Sequence, residues 1–143
     1  MDSQNQLLDS FFQTYEQNTA AGDMQAVAAH FADVFLAAGP QGAKAVPASE
    51  FALAVSKKKE LFDRLGRYST SLVSLEKTQL SGRYAMVTTE WCLSFARPGM
   101  ETEQIAAGSV FIVDTGCDPC KIVFYLANQD LMEVLQQRGI AAG

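Results

Sequence analysis

Histidine is almost missing from this chain and cysteine is scarce: one His and three Cys in 143 residues. A structural zinc needs about four nitrogen or sulfur ligands. Cys117 and Cys120 are close together, but the other candidates, Cys92 and His30, lie far off in the chain, so no metal site is expected. An odd number of thiols argues against a disulfide-built scaffold and for a reducing, cytoplasmic address. No stretch approaches the ~20 apolar residues of a membrane span. The first residues, MDSQNQLLDSFFQTY, have neither the basic start nor the apolar core of a signal peptide. Basic charge is also short: 11 Lys and Arg against 16 Asp and Glu leave a formal charge of -5, which opposes a nucleic-acid backbone. No glycine-rich segment joins a strand to a helix in the phosphate-binding pattern. The expected cofactor complement is therefore none, and neither nucleic acid nor a membrane is an expected partner.

What is present is apolar residue, 48% of the total, arranged with clear periods. Leu7, Leu8, Phe11, Phe12 and Tyr15 fall on one face of a helix over 4–20. Gly22 supplies a left-handed stop and Asp23 a cap for a second helix. The stripe of that helix, Met24, Val27, Ala28 and Phe31, gives way around Asp33 to the extended piece VFLAA. GPQGAKAVP reads as a loop with room for a small hairpin. A third helix is expected from Ala48 to Leu65, with Phe51, Val55, Phe62 and Leu65 on one side and Gly66 ending it. Inside it, Lys57, Lys58 and Lys59 run into Glu60; this reads as a solvated helix face, with a site for an anionic partner as the alternative.

Beyond Gly66 the period changes to two. Strands are expected over 69–80, RYAMVTTEWCLSFA, QIAAGSVFIV and KIVFYLA, and a short helix over DLMEVLQQRG. In the second of these strands Val87, Thr89, Trp91, Leu93 and Phe95 share a face. Ser109 has the parity of Phe111, so the two face the same way. Cys117 and Cys120 fall between the last two strands, and no helix follows to lower a thiol pKa as a redox motif requires. They read as a turn, with a reversible local disulfide as the alternative.

The order of elements, with the AGD corner, the HFAD segment of AAGDMQAVAAHFADVFLAAGP and the terminal KIVFY strand, resembles the nuclear transport factor 2-like superfamily, which includes SnoaL-like and ketosteroid isomerase-like proteins. The resemblance spans nearly the whole chain. It implies a single domain, 1–143, of α+β class: a cone-shaped roll with three N-terminal helices packed on a curved antiparallel sheet and a short C-terminal helix. It also implies a pocket for a small, mainly apolar ligand and a homodimer through the sheet. The fold serves isomerases, dehydratases and pure binding modules alike, so it does not by itself name a reaction.

The isomerase-like branch uses a carboxylate base and two oxyanion donors. By resemblance Tyr15 occupies the position of the oxyanion tyrosine, whereas Gly39 stands where the base belongs and Ser109 where the second acid belongs; steroid-type proton transfer is not expected. Dehydratase-like members pair a His with an Asp, which points to His30 and Asp33, with Tyr15, as the candidate catalytic set. The candidate pocket lining is Phe12, Trp91, Phe95, Ser109, Phe111 and Tyr125. An enzyme, a binding protein and a dimeric interaction module all remain open on the sequence.

Overall fold

The computed structural model describes residues 2–65, 67–96, 99, 101–117, 119–128 and 137. Helix α1 (Asp2–Ala21) leads into α2 (Met24–Ala29), and a hairpin of β1 (Phe31–Gly39) and β2 (Gly42–Pro47) precedes α3 (Ala48–Leu65). Four strands follow: β3 (Arg67–Gln79), β4 (Tyr84–Ala96), β5 (Glu103–Asp114) and β6 (Lys121–Ala127). No described helix is long and apolar enough to cross a membrane.

Helix α1 buries Leu8, Phe12 and Tyr15, spaced four and three residues apart as one helical face requires. It stops at Gly22, whose φ of +68° is left-handed. Asp23 then caps α2 by accepting a hydrogen bond from the Ala26 amide at 3.2 Å. The second helix is shorter than the stripe through Phe31 implies, because Phe31 is the first residue of β1. Phe31 and Phe35 are both buried, and a spacing of four fits one face of a helix and one face of a strand alike. The local pattern could not separate the two.

The sheet corrects the expected architecture. It has six strands in the order β2-β1-β6-β5-β4-β3. Strand β1 runs parallel to β6, with Phe31 opposite Ile122 and Leu36 opposite Phe124 across a bulge, while every other neighbouring pair is antiparallel. The sheet is thus mixed and open, with β2 and β3 as separate edges, where a cone-shaped roll with a curved, wholly antiparallel sheet was expected. The physical reason is that alternation determines which face of a strand is buried and is silent about which distant strand it joins. No helix follows β6 among the described elements; the helix expected over 130–139 lies outside the described residues except for Gln137.

One face of the sheet carries the core. In β4, Ala85, Val87, Thr89, Leu93 and Phe95 are buried, and in β5 Ile105, Ser109, Phe111 and Val113, the period-two pattern of a sheet covered on one side. Helix α1 is tied to edge strand β3 at two points: Glu16 accepts a hydrogen bond from the Leu72 amide at 2.6 Å, and Asp9 pairs with Lys77 at 2.6 Å. At the end of β5, Asp114 accepts two hydrogen bonds of 2.8 Å from the Arg83 guanidinium, one from the Gly116 amide at 2.9 Å and one from the Cys117 thiol at 3.4 Å. Among the described residues Cys92, Cys117 and Cys120 form no disulfide.

The Arg83 hydrogen bonds hold the Asp114 carboxyl down at about 2. A free aspartate titrates near ~3.9, so in the intervening range the unfolded chain binds more protons and folding weakens as pH falls. The contribution is complete above about pH 4 and disappears toward about pH 2. The stability gap between the wild type and Asp114→Asn, read from urea midpoints, is expected to close across that window; a gap that stays constant would contradict this role for the pair.

Candidate functional site

Helices α1 and α3 lie over the inner face of the sheet and leave a cavity of about 450 Å³ against β4, β5 and β6. The strands supply its floor. Phe111 pairs with Tyr125 and Ser109 with Ala127 in the β5–β6 register, while Trp91 stands opposite Ala107 in the β4–β5 register; all of these line the cavity. Tyr15 and Thr19 form the α1 wall. Phe51, Val55, Lys58 and Lys59 form the α3 wall, separated by four, three and one residues, a single helix face. The exposed turn between β1 and β2, Pro40 and Gln41 with the flanking Gly39 and Gly42, makes the lip.

Aromatic rings give this space its shape. The Tyr15 ring meets Phe111 at 5.5 Å and Trp91 at 6.2 Å between centroids, both edge to face. Tyr125 meets Phe111 at 5.2 Å and Phe51 at 5.5 Å. Such contacts contribute about 0.5–1.5 kcal/mol each beyond their buried area, which stiffens the walls.

The polar groups of the floor divide into used and unused. Thr89, fully buried, donates its one hydroxyl proton to the Ser109 carbonyl at 3.0 Å. The Ser109 hydroxyl, 2.9 Å from Thr89 Oγ1, must then be the donor of that pair. The Trp91 indole N–H also donates to Thr89 Oγ1, at 2.8 Å. Both donors are therefore spent, and Ser109 offers the cavity only acceptor lone pairs. Among the described residues the hydroxyls of Tyr15 and Tyr125 have no hydrogen-bond partner. Burial, and next the proximity of Tyr125, push the Tyr15 phenol well above its usual pKa; burial raises Tyr125 to about 12. Both are neutral donors at physiological pH.

Among the sequence candidates, Tyr15, Trp91, Ser109, Phe111 and Tyr125 line the cavity. Phe12 and Phe95 are fully buried in the surrounding core and do not. His30 is the C-cap residue of α2 and sits on the other side of the Tyr15 ring, 5.4 Å from it and 4.8 Å from Phe11. Its Nε2 lies 3.0 Å from the Asn18 side-chain amide, which makes that nitrogen the acceptor. Burial, and then Lys121, lower its pKa, so the ring is neutral. His30 lines a second hollow of about 630 Å³ with Asn18, Phe11, Cys117 and Cys120. Asp33 is exposed on β1 and lines neither space, and no hydrogen bond or ion pair joins it to His30. The three positions singled out by the isomerase-like pattern, Tyr15, Gly39 and Ser109, do meet around the cavity between the helices and the sheet, and no carboxylate or imidazole lines it among the described residues.

Several lining residues were not visible in the sequence. Thr70, from the edge strand, carried no signal. Lys58 and Lys59 did carry one: the apolar stripe of α3 runs through Phe51 and Val55, and its next turn is occupied by lysine.

No protein-family model and no curated protein matches the chain. Solved structures do match in fold. An NTF2-like protein with a cystatin-like fold from Novosphingobium aromaticivorans superposes with a TM-score of 0.74 at 10% identity, covering 97% of this chain and 89% of that one. A protein of unknown function with a cystatin-like fold from Nostoc punctiforme gives 0.69 at 11% identity, covering 88% and 90%. The association domain of C. elegans CaMKII gives 0.71 at 12% identity, covering 90% and 97%. The chain has the NTF2-like fold; at these identities the likeness is one of fold alone.

Thr89 holds both Ser109 and Trp91 in place, so Thr89→Val strands two donors at once. A loss of about 1–3 kcal/mol in urea unfolding is expected, larger than for Ser109→Ala, which leaves the indole bond intact. A Thr89→Val protein as stable as the wild type would show that the hydroxyl cluster does not organise the floor.

Proposed function

We propose that this protein is a cytoplasmic binding module that takes up a small, mainly apolar molecule in the cavity beside Tyr15. The observation that carries this reading is the make-up of the wall: rigid aromatic surface, two unpartnered phenol donors, and neither carboxylate nor imidazole among the described lining residues. A volume of about 450 Å³ falls in the range of small-molecule sites, about 300–1,000 Å³. General acid–base catalysis calls for a titratable group within hydrogen-bond reach of the substrate, and the His30 ring, with its Nε2 engaged by Asn18, favours binding over chemistry as the first reading.

The single tryptophan, Trp91, stands in the floor and reports on occupancy. Titration with the uncharged fluorophore N-phenyl-1-naphthylamine is expected to be saturable and to quench Trp91 by energy transfer. Val55→Phe, which projects a ring into the space from α3, is expected to weaken binding about tenfold while the far-ultraviolet dichroism stays unchanged. Binding that ignores this substitution in a folded protein would sink the assignment.

A second copy of the chain is the proposed partner. On the outer sheet face Leu36 lies beside Phe124 and Phe124 beside Ile112. Val34, on the same side of β1 as Leu36, is 58% exposed and Leu36 is 43% exposed, an apolar row of the kind that marks an interface. The CaMKII domain of similar fold is described as an association domain, which suits this use of the sheet. Light scattering is expected to give the mass of a dimer for the wild type and of a monomer for Leu36→Glu; a monomeric wild type would remove the homodimer.

A further inference from the structure

Lys58 is the feature that the binding reading leaves unexplained. It occupies the cavity face of α3, one turn beyond Val55, where the apolar stripe would continue. It is both exposed and part of the lining, so its side chain stands where the cavity opens. The neighbouring Lys59 is already engaged: its ammonium pairs with Asp63 at 2.8 Å and its stem lies against Gly22, where a Cβ would come within 2.8 Å of Lys59 Cδ. Lys58 has no hydrogen-bond or ion-pair partner among the described residues, in a chain with five more acidic than basic side chains, 16 against 11.

Resting on the reading of this cavity as a ligand site, we propose that the ligand is an amphipathic monoanion, whose apolar body lies against Tyr15, Trp91, Phe111 and Tyr125 and whose acidic end pairs with Lys58 at the mouth. An aromatic or aliphatic acid has this shape. Three properties support it. The cavity has cationic groups and no carboxylate among its described lining residues, so an anion meets attraction without a competing charge. Protein packed around Lys58 lowers its pKa by desolvation, although the side chain retains surface toward solvent, so an incoming anion displaces less water than at an open surface lysine. The strands supply an aromatic floor and α3 supplies the lysines, so one end of the ligand is apolar and the other charged, which orients it.

Two probes share one anilinonaphthalene body and differ in charge: 1-anilinonaphthalene-8-sulfonate and N-phenyl-1-naphthylamine. Both are titrated into the wild type, Lys58→Met, Lys58→Arg and Lys57→Met, with Val55→Phe as the test that the signal comes from the cavity. The expected result is a five- to tenfold loss of sulfonate affinity in Lys58→Met, about the effect of one half-desolvated ion pair. The uncharged probe should stay within about twofold, Lys58→Arg should retain sulfonate binding, and Lys57→Met should change neither. Sulfonate affinity unchanged in Lys58→Met, or both probes weakened equally, overturns the proposal and leaves the apolar cavity standing. A sulfonate signal insensitive to Val55→Phe overturns it as well. If neither probe binds the wild type, the cavity reading falls and this proposal falls with it.

Discussion

The parallel pairing of β1 with β6 is the contact on which the rest of the arrangement depends. It joins the first strand to the last, opposing Phe31 to Ile122 and Leu36 to Phe124, and it is secured where the Ile122 amide donates to the His30 carbonyl at 2.8 Å. Because β1 is held there, β2 is carried to the sheet edge and α3, which begins directly after Pro47, is laid back over the inner face. The cavity is the gap that remains between α3, α1 and the strands, and the β1–β2 turn becomes its lip. A parallel pair cannot be closed by a short turn, so this contact forms only when the two ends of the fold come together.

That non-local origin explains what the sequence could and could not disclose. The bounds of α3 and the buried face of β4 were legible, since each follows from a local period with one side covered: Ala48 to Leu65 for the helix, Val87 through Phe95 for the strand. The end of α2 was not, because Phe31 and Phe35 satisfy two periods at once. Strand order was not, because Leu36 and Phe124 hold no mark of each other in sequence. The site was partly legible in the same sense. Parity puts Trp91, Ser109 and Phe111 on the inner face, but parity has no depth, and Phe95, on that same face, ends in solid core. Lys57 and Lys58 are exposed, as a solvated run requires, and Lys58 also stands one turn past Val55 in the cavity lining.

The interior chemistry is that of neutral hydrogen bonding inside an apolar shell. Thr89 absorbs the donors of Ser109 and Trp91, which leaves the phenols of Tyr15 and Tyr125, both kept protonated by burial, as the donors that face open space. A guest that carries an acceptor could take their protons. His30 and the thiols of Cys117 and Cys120 belong to a different hollow, across the Tyr15 ring. The imidazole and these two thiols are thereby kept apart from the aromatic cavity.

Diffraction from crystals soaked in bromobenzene tests the central claim most directly, because bromine scatters anomalously and locates the guest without reference to any assumed pose. The account predicts a bromine peak between the helices and the sheet, with the ring within about 4 Å of Trp91 and Tyr15. A peak elsewhere only, with side chains filling the space beside Tyr15, would contradict it.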